Sequence, residues 1–457
     1  MKALVLFFFF LFGNCSVAYA QSDTEISKHD AETIIHHFYE LFREDPDRTK
    51  IAIDYIETTW KEEYIAMLLD IAYITNSRTI SNEVLRILRE KTGKKYFNNI
   101  HKWLEWRWGE EQKIIPLYAD WLALIYQNLD PKFDKYFRNR TGQALIRLDE
   151  VRWGGVVQDG IPPLRQPKMK SAVEANYLGK KDVIFGIEIN GEAKAYPQRI
   201  LAWHEMFVDK IGGETIAGVY CTLCGTVIAY NTKHDDVVHD LGTSGFLYRS
   251  NKLMFDKATQ SLWNTIEGKP VIGPLVDKEI ELKSYSVVTT TWKEWKRLHP
   301  GTKVLSPDTG HKRNYDEGAA YKRYFETDKL MFNVPKLDKR LKNKDEVLVV
   351  RADGYRDDPL AISVKYLLKN RVFHEKIGDI NFVVLTDDSG ANRVYESKGI
   401  TFEKLDGDYV IDSNKSRWKI TESSLIAEDG RTLERLSYHR IFWFAWYNTY
   451  YETRLVK

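Results

Sequence analysis

Apolar residues recur at helical spacing through the first third of the chain. Trp60, Tyr64, Leu68 and Ile71 fall on one face of a helix. Ahead of them Thr59-Trp60-Lys61-Glu62 reads as a capping box, in which hydroxyl and carboxylate satisfy orphan backbone donors. A second helix is predicted from Ser81 through Val84, Leu85 and Leu88. It should stop near Gly93, where a left-handed residue closes the last turn. Trp103, Trp106 and Trp108 follow, then an apolar run from Ile114 to Tyr126. Residues 21–150 thus read as an antiparallel helical array, a scaffold or docking domain.

The pattern breaks at Val151 to Pro167, where Gly154-Gly155, Asp159-Gly160 and Pro162-Pro163 cannot continue a helix. From Asp182 the chain becomes strand-like. Val183 to Ile189 and Ala193 to Tyr196 flank Asn190-Gly191, a strong hairpin signal because both turn residues tolerate positive φ. The chain then resembles itself. Asp182 to Tyr230 and Glu346 to Tyr395 share an order of strand, short helix and strand. Trp292-Lys-Glu-Trp295 with Thr302-Lys303-Val304 matches Trp443-Phe-Ala-Trp446 with Thr453-Arg454-Leu455 at identical spacing. Self-similarity over so long a separation indicates duplicated domains rather than a solenoid. The expected fold is α+β: residues 1–20 a leader, 21–150 helical, 151–335 a strand-rich α+β domain, and 336–457 its degenerate second copy.

Composition changes this picture little. Lys and Arg total 67 against 65 Asp and Glu, so no global pull toward nucleic acid is implied. The 13 Trp and 26 Tyr are explained by large cores, with a carbohydrate-binding surface as the alternative. The leader matters more. Lys2 is a short basic start, Ala3 to Phe12 form an apolar stretch too short to span a bilayer, and Ala18-Tyr19-Ala20 offers a cleavage site before Gln21. Asn14 is a poor residue to precede a lipid-bearing Cys15. No later stretch is apolar enough to span a membrane. The mature protein is expected to be exported, periplasmic or extracellular, where disulfides persist.

Cleavage would leave two cysteines, Cys221 and Cys224, in Tyr220-Cys221-Thr-Leu-Cys224-Gly225-Thr226. Strand-like runs on both sides make this a hairpin tip, with Gly225 supplying the positive φ of a tight knuckle. Such knuckles hold metals in zinc ribbons, whereas redox pairs of the thioredoxin type sit at helix N-termini. A disulfide closing four residues contributes only about 2 kcal/mol, against nearly 5 for a hundred-residue loop, so a purely structural bridge is a poor use of the pair. In the second copy Thr386-Asp-Asp-Ser389-Gly390 aligns with the knuckle and carries neither thiol. Any thiol chemistry therefore belongs to the first copy.

Three further groups are candidates. His204, in Trp203-His204-Glu205, could tune a thiol, shuttle protons or ligate copper or zinc together with Cys221 and Cys224. His239, His299 and His311 are other imidazoles that could reach the knuckle. Arg249 and Asp256, beyond the Gly242-Thr243-Ser244-Gly245 loop, could line a polar pocket or form structural ion pairs. That loop is neither a phosphate-binding loop nor a nucleophile elbow, since the required spacings are missing.

Seven motifs carry a resemblance. Asp159-Gly160-Ile161-Pro162-Pro163, Ala195-Tyr196-Pro197, Trp203-His204-Glu205, Tyr220-Cys221-x-Leu223-Cys224-Gly225, Ser244-Gly245-x-Leu247-Tyr248, Leu262-Trp263 and Ser306-Pro307-Asp308-Thr309-Gly310 occur in this order. Residues 150–335 closely, and the later copy more loosely, resemble the bacterial domain-of-unknown-function family 3179. The family has no assigned activity. The resemblance implies that some members carry selenocysteine in the C-x-x-C region, which adds weight to a redox role. Here both positions are plain cysteine. The favoured expectation is a thiol–disulfide oxidoreductase with Cys221 attacking, Cys224 resolving and His204 handling protons, served by a redox partner. Copper or zinc binding, and a non-enzymatic binding module with a protein partner, are the alternatives.

Overall fold

A computed structural model describes residues 26–43 and 45–457. The leader, with Cys15, lies outside the described residues. None of the described helices is long and apolar enough to cross a membrane.

The helical array is present. Its main helices are Lys28–Phe42, Pro46–Thr58, Tyr64–Ile74, Arg78–Thr92, Ile100–Gly109 and Tyr118–Tyr126. Gly93 closes the fourth at φ 69°, and its N-cap is Ser77 rather than a residue near Ser81. The expected capping box does not form. Thr59 ends the preceding helix, its hydroxyl donating back to Tyr55 O at 2.8 Å, and the next helix begins only at Tyr64. A threonine that can bond the turn behind it is no longer free to cap the turn ahead.

Strand-rich α+β structure follows, as expected. Strand Val183–Ile189 turns at Asn190-Gly191, with φ 50° and 82°, into Glu192–Pro197. These two join a sheet ordered 288–291, 183–189, 192–197, 303–305 and 169–171. A later sheet repeats the order of its first four strands as 438–442, 346–350, 360–363 and 454–456. In both, the first two pairings are antiparallel and the third parallel. The repeated tryptophan motif forms the same clasp twice. Trp295 Nε1 donates to Thr302 Oγ1 at 3.0 Å, and Trp446 Nε1 to Thr453 Oγ1 at 2.8 Å. Each threonine hydroxyl in turn donates at 3.1 Å to a backbone carbonyl, of Ala193 and Pro359 respectively.

Packing ties the regions together. Helical residues such as Phe38, Trp121 and Tyr126 share one apolar core with Phe246, Leu253, Phe255 and Leu262, which lie on the sheet 151–153, 241–248, 251–256, 262–264, 269–272. At the rim of this core Asp70 is wholly buried. It accepts from Tyr118 (2.6 Å), Trp121 (3.0 Å) and the buried Arg152 guanidinium. A second core joins Cys221, Leu223 and Cys224 to Phe442, Trp443 and Trp446 of the later half.

Asp70→Ala leaves Arg152 buried without its counter-ion. Urea unfolding should show a loss of about 3–5 kcal/mol. A change under about 1 kcal/mol would be the signature of a surface pair and would contradict this placement.

Candidate functional site

The thiols stand where the hairpin pattern puts them. Strand Glu214–Cys221 pairs with Thr226–Asn231, and Cys221 lies opposite Thr226. The tip is tight: Cys224 N–H donates to Cys221 O at 3.1 Å and Gly225 N–H to Thr222 O at 3.4 Å. Gly225 has φ 60°, and a Cβ there would meet the Phe442 ring at 2.5 Å. Only glycine satisfies both demands.

The tip is not exposed. Cys221 is 2% and Cys224 0% accessible, and both are free thiols. Three elements cover them. Phe442 N–H donates to Cys224 O at 2.7 Å from the later half. Tyr324 OH, in the short helix Lys322–Phe325, donates to Leu223 O at 2.7 Å. Beneath lies the hairpin of Leu241–Tyr248 and Asn251–Asp256, whose two-residue turn Arg249-Ser250 has φ 51° and 62° with neither glycine nor asparagine. Left-handed backbone at such residues is costly and clusters at functional sites.

That turn differentiates the sulfurs. Cys224 Sγ sits 3.3 Å from Asn251 Oδ1 and 3.6 Å from Ser250 O, both acceptors. Acceptors favour the protonated thiol. Burial, together with the neighbouring Cys221 thiolate, pushes the Cys224 thiol well up. Burial also pushes Cys221 up, but a hydrogen bond from Cys224, the Lys252 backbone N–H and the Lys252 ammonium outweigh it. The net direction for Cys221 is down. The pair holds one charge more readily than two, and that charge belongs on Cys221.

A buried ion pair adjoins them. Lys252 Nζ lies 2.6 Å from Glu205 Oε2. Glu205 Oε1 accepts from Thr222, the residue between the cysteines, at 2.7 Å and from Tyr321 OH at 3.0 Å. Glu205 itself is left-handed, at φ 54°, where helix Gln198–His204 ends. Sequence reasoning missed Glu205, Lys252, Asn251 and Tyr321. The available signal was Lys252 inside an otherwise apolar strand run, a position that only a partner makes tolerable.

His204 has partners of its own. Its Nδ1 is 2.9 Å from Pro162 O and its Nε2 2.6 Å from Tyr315 OH, so both nitrogens are hydrogen-bonded away from the thiols. Burial pushes its imidazole down. The left-handed turn at the next residue sends the two side chains to different neighbours. The other imidazoles have different neighbours. His239 bonds Asp256 at 3.0 Å, His299 lies between Glu188 and Glu422, and His311 is exposed beside the His204 ring. Among the described residues no group of three His, Cys, Asp or Glu is placed to hold a metal ion. Arg249 and Asp256 have separate partners, Arg249 an ion pair with Glu150 at 2.5 Å and Asp256 a hydrogen bond with His239.

A family model described as "Protein of unknown function (DUF3179)" matches residues 158–453. The chain belongs to the DUF3179 family. The DUF3179 match takes in the thiol knuckle, the Glu205–Lys252 pair, the covering segment and most of the later half, and leaves out the helical array. No curated protein and no solved structure matches the chain.

The two charges beside Cys221 act in opposite senses, which gives a prediction with a sign. In the pH profile of Cys221 alkylation, Lys252→Met should move the midpoint up, because an ammonium that favours thiolate is gone. Glu205→Gln should move it down, because an opposing carboxylate is gone. Shifts of the same sign in both variants would contradict this electrostatic arrangement.

Proposed function

We propose that this DUF3179 protein is an exported thiol–disulfide oxidoreductase. The observation that carries the reading is the unequal environment of the two sulfurs. Two acceptors, Asn251 Oδ1 and Ser250 O, face Cys224 Sγ, whereas the backbone N–H and ammonium of Lys252 favour a charge on Cys221. Inert buried thiols sit in apolar surroundings. These share an apolar core with Phe442, Trp443 and Trp446 but also adjoin a buried carboxylate–ammonium pair, which is expensive to maintain without a use.

The chemistry follows from the asymmetry. The Cys221 thiolate attacks one sulfur of a substrate disulfide, forming a mixed disulfide and expelling the other sulfur as thiolate. Cys224 then loses its proton and attacks Cys221 Sγ. The second substrate sulfur leaves, and the Cys221–Cys224 disulfide remains. The substrate gains two electrons and two protons, and the enzyme dithiol loses them. A dithiol partner returns the enzyme to its starting state by the reverse exchange. The sulfurs are covered in the closed arrangement, and displacement of the segment bearing Tyr321 and Tyr324 opens a path to Cys221. With both His204 nitrogens engaged, proton handling falls to the groups around Glu205.

Mass spectrometry of native protein taken through a graded thiol/disulfide buffer should show one reversible two-hydrogen loss, mapping to Cys221 and Cys224. Cys224→Ser should accumulate a mixed disulfide at Cys221. Two thiols that stay free and unreactive throughout the series would end this reading.

A further inference from the structure

The cover over the thiols has a surface of its own. The segment Tyr321 to Leu337 is held down from below by Tyr321 OH on Glu205 and Tyr324 OH on Leu223 O. At the helical array Asn333 donates to Glu105 at 2.5 Å. Its outer face is cationic. Lys322, Arg323 and Lys329 are exposed and have no ion-pair partner among the described residues, and Lys339 and Lys342, further along the chain, are exposed and unpaired too. The exposed acids here are Glu326 and Asp328, and Asp328 is occupied by the backbone N–H groups of Asn343 and Lys344. Large apolar side chains stand among these charges: Phe325 is 38% exposed, Met331 52% and Leu337 52%. The whole chain carries a net charge of only +2, so this concentration of unpaired cations is local.

Apolar anchors within unpaired charge of one sign characterise a protein docking surface, where charge steers the encounter and the anchors hold it. We propose that residues 321–342 are the docking surface for a polypeptide partner that presents acidic residues beside its disulfide, and that docking displaces the cover from Cys221. The proposal rests on the thiol-exchange reading above and names the substrate class for it. An anionic membrane is the poorer fit. The only helix within the surface is Lys322–Phe325, four residues long, too short to lay a continuous apolar face into lipid.

The test uses two synthetic peptides of equal length, each with one disulfide to a chromophoric thiol, flanked by glutamates in one and lysines in the other. Neutral hydroxyethyl disulfide is the size control. The reduced full chain should release the chromophore from the acidic peptide at least about tenfold faster at low salt, with the preference shrinking as salt rises. Lys322→Glu/Arg323→Glu/Lys329→Glu should reverse the preference while leaving hydroxyethyl disulfide reduction unchanged. Equal rates with the two peptides, or a preference untouched by the charge reversal, overturn the docking surface. So does sedimentation with phosphatidylglycerol vesicles that is lost on the charge reversal, in the absence of a peptide preference. Failure of the wild-type protein to react with either peptide and with hydroxyethyl disulfide overturns the thiol-exchange reading instead.

Discussion

The contact between Glu205 and Lys252 is the constraint around which the site is assembled. Two opposite charges taken out of water are tolerable only when each is paired and further hydrogen-bonded. Meeting that demand fixes several distant pieces of chain at once. Glu205 must leave its helix in a left-handed turn, Thr222 must face inward between the cysteines, and Tyr321 must reach down from a segment more than a hundred residues later. Lys252 brings the Arg249-Ser250 turn beneath the knuckle, and that turn delivers the acceptors that meet Cys224. The unequal sulfurs are thus a consequence of how one ion pair is housed.

The two halves with matching strand order contribute differently. The earlier one carries the thiols and the charges. The later one, whose corresponding turn ends in Ser389-Gly390, carries no cysteine and supplies Phe442 as a lid of hydrocarbon against Gly225. The same tryptophan-to-threonine clasp stabilises both sheets. The helical array shares its core with the sheet that includes the Tyr248–Asn251 hairpin.

What could be read from the sequence was local. Asn190-Gly191 and Gly225 announce their turns because positive φ is costly for most other residues, and Gly93 ends its helix for the same reason. The repeated Trp-x-x-Trp and threonine spacing foretold a shared arrangement because each clasp closes within a few residues. The site beyond the cysteines was not legible. His204 and Glu205 are neighbours in sequence, and a regular helix would place them about 100° apart. A left-handed residue at 205 parts them more decisively, and nothing in the residue type signals it. Lys252 and Tyr321 join the site through contacts far apart along the chain, which no periodicity records. Thr59 misled for a related reason, since a hydroxyl can serve the turn behind as well as the turn ahead.

The seat of Phe442 on Gly225 bears on how the protein is made. Ribosomal synthesis runs from the first residue onward, so the cysteine knuckle emerges long before the strand Tyr438–Phe442 that closes over it. Throughout that interval the sulfurs lie open to whatever oxidants and chaperones surround the nascent chain. Closure of the Phe442 ring over the knuckle therefore waits until nearly the whole chain has been made.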